Sequence, residues 1–270
     1  MIVTTCLFTC CYLCLGFCGI LQRATAPIER QDLDLEVQSG HGQGAGTSSV
    51  EFSSDGKLLL TGGGYTACLW EVSSALLIRR FSGHRSDVLT VAFVPERSLV
   101  VTGAKDKTIR IWDSGLRSEV RRIQCESWIH DFAITPDGKR VFAQQDDSAV
   151  ICEWDIDTGR KLRTYQSPFP GDAFSICASS DERLVVAAFV DGLVIWDRSD
   201  YAQPRTIRSQ ETYFTSVALS ADGKVVATGS SNGVVHIWEL KTGIQLRMLG
   251  IHGSHVTDVY WLLAVWCGLA

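Results

Sequence analysis

Basic charge is scarce in this sequence: 25 lysines and arginines face 30 aspartates and glutamates, a formal net charge of −5. No cationic excess is available to displace counterions from phosphate, which argues against direct nucleic-acid binding. Asparagine is scarcer still. The one present, Asn232, is followed by Gly233-Val234, so no N-glycosylation sequon exists. The ten cysteines lack a repeated spacing. Cys6, Cys10, Cys11, Cys14 and Cys18 crowd the first 18 residues, and Cys68, Cys125, Cys152, Cys177 and Cys267 are scattered. Disulfide-stapled domains are short and pattern their cysteines, so a reducing compartment is expected for the body of the protein.

Sites for chemistry are missing as well. No metal-ligand spacing emerges from the six dispersed histidines, and Cys11-Tyr12-Leu13-Cys14 has no second pair. The stretch Gly40 to Gly46 invites a phosphate-loop reading but lacks the following Lys and Ser/Thr, so it reads as a flexible loop. Gly62-Gly63-Gly64 reads as a turn between two strands. Asp146-Asp147 falls at a strand turn, where Asp serves the backbone. Arg79-Arg80 and Arg121-Arg122 read as solvated edge residues. No nucleophile with an activating base is legible, and no metal or cofactor is expected.

Charge is also absent from Met1 to Gln22. This leader reads equally as a signal peptide ending at Ala24-Thr25-Ala26, as a membrane anchor, or as a segment foreign to the mature protein. The rest of the chain, 46% hydrophobic residues and 20% charged overall, can bury a core.

What is present is a repeat. Trp70, Trp112, Trp154, Trp196 and Trp238 each follow the last by 42 residues. Trp112-Asp113, Trp154-Asp155 and Trp196-Asp197 are Trp-Asp pairs, and Glu71 and Glu239 follow the other two. Upstream of each lies a turn signal: Ser54-Asp55-Gly56, Pro95-Glu96, Pro136-Asp137-Gly138, Asp181-Glu182 and Ala221-Asp222-Gly223. Short apolar runs flank these turns, as in Leu99-Val100-Val101-Thr102 and Thr108-Ile109-Arg110-Ile111-Trp112. The strand before each turn spaces its apolar residues by three and then two, as in Val88, Val91 and Phe93, which predicts a β-bulge.

The segment Gly83-His84, Thr102, Asp106, Trp112-Asp113 resembles a complete WD-repeat motif. The resemblance covers residues 39 to 261 and implies an all-β WD-repeat β-propeller, with five complete blades and the start of a sixth, in a ring that usually has seven. It implies a buried network of His84, Thr102, Asp106 and Trp112, kept in part as Thr228, Asn232 and Trp238. The first repeat offers Thr61, with Tyr65 where an Asp is usual. Residues 1–26 are then a leader, 27–46 a Gly-rich linker, 47–261 the propeller and 262–270 an apolar tail. The next tryptophan would fall near position 280, so the expectation is a partial ring that self-associates when expressed alone.

The resemblance also places a partner-binding rim at Asp87, Trp128, His130, Asp172, Phe174 and Tyr213, whose aromatics would serve as anchors. It implies a non-catalytic scaffold in a cytoplasmic or nuclear regulatory complex. Its partners would be proteins, with no nucleic acid and no small-molecule substrate; a membrane enters only if residues 1–22 persist as an anchor. Ser49 to Lys57, Ala67 to Trp70 and Ile176 to Asp197 are similar to the propeller of Tup-type transcriptional corepressors, although the coiled coil of that family is absent. The alternatives are an exported propeller enzyme and a substrate-recognition subunit of a ubiquitin ligase.

Overall fold

The computed structural model describes residues 2–4, 46–116, 118–146, 149–209, 213–251 and 255–260. Residues 27–45 of the expected linker, the tail, and all of the leader but residues 2–4 lie outside them. Among the described residues every regular element is a strand, and no helix is long and apolar enough to cross a membrane.

Ile2–Thr4 (β1) is followed by five four-stranded antiparallel sheets whose strands lie in chain order. Sheet one holds β2 (Thr47–Phe52), β3 (Leu58–Gly63), β4 (Thr66–Glu71) and β5 (Leu77–Ser82). Sheet two holds β6 (Val88–Phe93), β7 (Leu99–Ala104), β8 (Thr108–Asp113) and β9 (Glu119–Gln124). Sheet three holds β10 (Phe132–Ile134), β11 (Arg140–Asp146), β12 (Val150–Asp155) and β13 (Lys161–Gln166). Sheet four holds β14 (Ser175–Ala178), β15 (Leu184–Phe189), β16 (Gly192–Asp197) and β17 (Asp200–Arg208). Sheet five holds β18 (Phe214–Leu219), β19 (Val225–Ser230), β20 (Val234–Glu239) and β21 (Gln245–Ile251). Finally, β22 (Asp258–Tyr260) pairs with β1.

The core is not one mass but a slab between each pair of neighbouring sheets. Leu60, Ala67, Leu69 and Phe81 of sheet one meet Val88, Val91 and Trp112 of sheet two. Trp154 closes the slab between sheets two and three, Trp196 that between three and four, and Trp238 that between four and five. The 42-residue period thus sets one indole in each gap, on the third strand of its sheet. Both faces of an inner sheet are buried, which is why its strands read as near-continuous apolar runs.

The bulge appears in the first strand of sheets one, two and five, where the register shifts at Thr47/Ser49, Val88/Thr90 and Phe214/Ser216. In sheets three and four it does not. There the pairing begins only at Phe132 and Ser175, and Ile129 is instead bonded to Ala104 O of sheet two. Gly62 and Gly63 also correct the sequence reading, because both lie within β3 and not in a turn. A Cβ on Gly62 would stand 2.7 Å from Val91 Cγ1, and one on Gly103 2.5 Å from Ile129 Cγ2. Glycine lets β6, and the segment entering sheet three, approach at that height.

Candidate interaction surface

Each sheet presents the turn between its second and third strands at one end, and the chain enters the next sheet from that same end. In sheet two this end is pinned by a polar chain. Trp112 Nε1 donates to Thr102 Oγ1 at 2.9 Å, Thr102 Oγ1 lies 2.6 Å from His84 Nε2, and His84 Nδ1 lies 3.0 Å from Asp106 Oδ2. Asp106 also accepts from Arg85 N and from Thr108. The order of donors assigns His84 the neutral tautomer protonated on Nδ1. Burial holds the His84 imidazole below its ordinary pKa, against the pull of Asp106. For Asp106, burial acts upward, but the bonds from Thr108, Arg85 and His84 outweigh it and hold the carboxyl low.

Sheet one keeps Trp70 Nε1 to Thr61 Oγ1 at 2.9 Å, and sheet five keeps Trp238 Nε1 to Thr228 Oγ1 at 3.1 Å. Asn232, expected in that second group, accepts instead from Val234 N and serves its own turn. Sheets three and four have Ala143 and Ala187 at the threonine position. Trp196 Nε1 donates to Gln166 O instead. A different network ties these two sheets. Buried Glu153 accepts from Tyr165 Oη at 2.6 Å and from Arg198 Nη2 at 2.8 Å, with Arg198 lying over the Phe142 ring.

The aromatic rim residues stand open. Trp128 is 47% exposed, Phe174 40% and Tyr213 36%. Phe174 and Tyr213 form a pair, with ring centroids 5.7 Å apart, and His255 meets Tyr213 at 6.5 Å. Trp128 and His130 form a second pair at 6.0 Å. Asp87 is ion-paired to Lys105 at 2.8 Å, and Asp172 Oδ1 accepts from Gln144 Nε2 at 2.8 Å. The aromatics therefore do not fill gaps between sheets; they sit on two patches of one end.

A family profile described as "WD domain, G-beta repeat" matches residues 34–71, 76–113 and 202–239. Three of the five sheets are thus WD repeats. The matches fall on the repeats that keep a threonine under the tryptophan. A guanine nucleotide-binding protein subunit beta of Solanum tuberosum is 29% identical over 246 residues, 82% of this chain and 65% of the relative. The nuclear distribution protein nudF of Aspergillus niger is 30% identical over 142 residues, 44% of this chain and 32% of the relative. Autophagy-related protein 16 of Arabidopsis thaliana is 26% identical over 190 residues, 67% of this chain and 35% of the relative. The chain thus spans between about a third and two thirds of these WD-repeat relatives.

Several site residues escape a reading by motif. Asp131 reaches across three sheets: Oδ1 accepts from Phe132 N and from Thr90 Oγ1, and Oδ2 from Ile176 N. Burial raises its pKa in spite of those bonds. Arg79 and Arg121 are not solvated edges but half-buried. Arg79 donates to Ser114 O on the next sheet, and Arg121 lies against Gly159. Arg163 donates to Arg198 O at 2.7 Å and Arg205 to Leu240 O at 3.0 Å. The signal was available, since these four arginines share the tryptophans' 42-residue step.

One stretch at this end has nucleophile-like spacing. Gly229-Ser230-Ser231-Asn232-Gly233 fits Gly-x-Ser-x-Gly, but it joins two strands, whereas the hydrolase elbow joins a strand to a helix. Among the described residues no cluster of His, Cys, Asp or Glu could hold a metal ion. The Asp146-Asp147 turn lies in part outside the described residues.

Proposed function

We propose that this chain is a non-catalytic scaffold that binds other proteins through the aromatic end of its sheets. The observation that carries the proposal is the exposure of Trp128, Phe174 and Tyr213 on a framework whose other large aromatics are mostly buried. Aromatic side chains bury much area at small entropic cost, so exposed ones on rigid elements make contact anchors. The relatives support the coarse role. Their names place one as a subunit of a guanine nucleotide-binding protein and others in nuclear distribution and autophagy. Those settings differ, so the likeness supports binding of proteins without choosing a process. A corepressor complex in the nucleus is a narrower reading, and the similarity of Ser49 to Trp70 to Tup-type propellers is its support.

Quantitative affinity capture from the cell of origin tests the role, with wild type beside a Trp128→Ala/Tyr213→Ala double variant of unchanged circular dichroism. Proteins held by wild type are expected to drop out of the variant's capture. An identical set from both would sink the assignment of this end as the partner face.

A further inference from the structure

Two parts of the rim repeat each other with one telling difference. Near sheet two, Lys105 Nζ lies 2.8 Å from Asp87 Oδ2 and 5.6 Å from the centre of the Trp128 ring. A lysine of the chain is thus clamped between an acid and an indole, by an ion pair and a cation–π contact together. Each of the three has a counterpart 85 residues on: Asp172 for Asp87, Val190 for Lys105 and Tyr213 for Trp128. The acid and the aromatic are retained, and the cation is replaced by valine.

The second group is assembled in one neighbourhood. Phe174 N donates to Ala188 O at 2.9 Å, next to the turn that carries exposed Val190. Ser209 N donates to Asp191 O at 3.0 Å, which ties that turn to the segment leading to Tyr213. Tyr213 lies tilted beside Phe174. Gln144 bonds one oxygen of Asp172 and leaves the other as an acceptor. Among the described residues of the loops Ser167 to Phe174, Val190-Asp191 and Ser231 to Gly233, the charged ones are Asp172 and Asp191, both acidic. Arg208, at the end of β17, lies over Phe169 at 5.1 Å.

We propose that Asp172, Val190 and Tyr213, with Phe174 beside them, form a slot for a lysine or arginine side chain of a partner protein. The chain itself fills the matching slot at Asp87 and Trp128. The inference rests on this end being the partner face and names the chemistry that it takes there: an extended cationic segment. Asp172 supplies the charge, the rings supply their negative faces, and Val190 leaves the room that Lys105 occupies in the other copy.

Fluorescence anisotropy at low salt with a labelled peptide of alternating lysine and serine tests it, against matched norleucine–serine and glutamate–serine peptides. Wild type is expected to prefer the lysine peptide. Val190→Lys, an exposed change that should leave the fold intact, is expected to weaken that binding about tenfold by filling the slot from within. Lys105→Val is expected to strengthen it by opening a second slot. Equal affinity for the norleucine peptide, or undiminished binding to Val190→Lys, overturns the proposal. If that happens while affinity capture still depends on Trp128 and Tyr213, the slot falls and the partner face stands; if capture is also insensitive, both fall.

Discussion

Glu96 and Glu182 sit at positive φ, 56° and 60°; Glu182 holds the turn position that Gly56, Gly138 and Gly223 fill in their sheets, and Glu96 lies one residue before that position in sheet two. A side chain there strains the backbone, and glycine relieves it. Glu96 is exposed, so Glu96→Gly is expected to raise stability by about 0.5–1 kcal/mol, read as a higher urea midpoint. Glu51 poses an electrostatic question instead. Its Oε2 accepts from Phe93 N at 2.6 Å, and burial pushes the carboxyl up to about 7, more than that bond lowers it. Between its ordinary value and 7 the folded chain holds a proton that the unfolded chain has released. Stability from this group is therefore full at low pH and lost as pH rises toward 7. Glu51→Gln cannot ionise, so its urea midpoint should gain on wild type across that window; a constant difference would refute the burial argument. Neither Glu51 nor Asp131 was legible in the sequence. An acid on a half-buried strand looks the same whether it faces water or the backbone of the next sheet.

Elements solve the same closure problem in two ways. Sheet two uses the chain from Trp112 to Asp106, where removing one partner strands a buried imidazole. Asp106→Ala is expected to cost about 1–3 kcal/mol, while Asn232→Ala, which loses only a turn bond, should cost about 1 kcal/mol or less. Comparable urea shifts for the two would mean that the His84 network adds nothing. Sheets three and four use Glu153, Tyr165 and Arg198. Arg198→Ala leaves buried Glu153 only the longer pair to Arg140, at 3.7 Å, and is expected to cost about 3 kcal/mol, partly restored by adding Glu153→Gln. The periodic tryptophans, the Asp-Gly turns and the His84 group were legible because each is local in sequence and repeats. The Glu153 network was not, since its partners come from two sheets. Its trace is an acid before Trp154, where Leu69, Ile111, Ile195 and Ile237 precede the other tryptophans. The rim was legible as positions by analogy; which of them stand open depends on how the sheets meet.

Among the described residues each sheet packs on its sequence neighbours through an indole-closed slab and an arginine reaching from the outer strand to the following sheet. Stability should then behave as a sum of sheet and interface contributions. Two pairs of substitutions test this. Asp106 acts within sheet two, and Arg205 ties sheet four to sheet five, with no shared partner. Their losses in Asp106→Ala and Arg205→Ala are expected to add in the double variant to within about 0.5 kcal/mol. Arg163 and Arg198 share one interface, since Arg163 donates to the carbonyl of Arg198 while the Arg198 side chain holds Glu153. Once Arg198→Ala has loosened that turn, Arg163→Ala has less left to lose, so this double variant should cost less than the sum by more than about 0.5 kcal/mol. Urea titrations of the four single and two double variants give both differences. Additivity at the shared interface, or strong coupling between Asp106 and Arg205, would show that force passes through the molecule by a route other than neighbour to neighbour. The two slabs between sheets two and four would then have to move as one body.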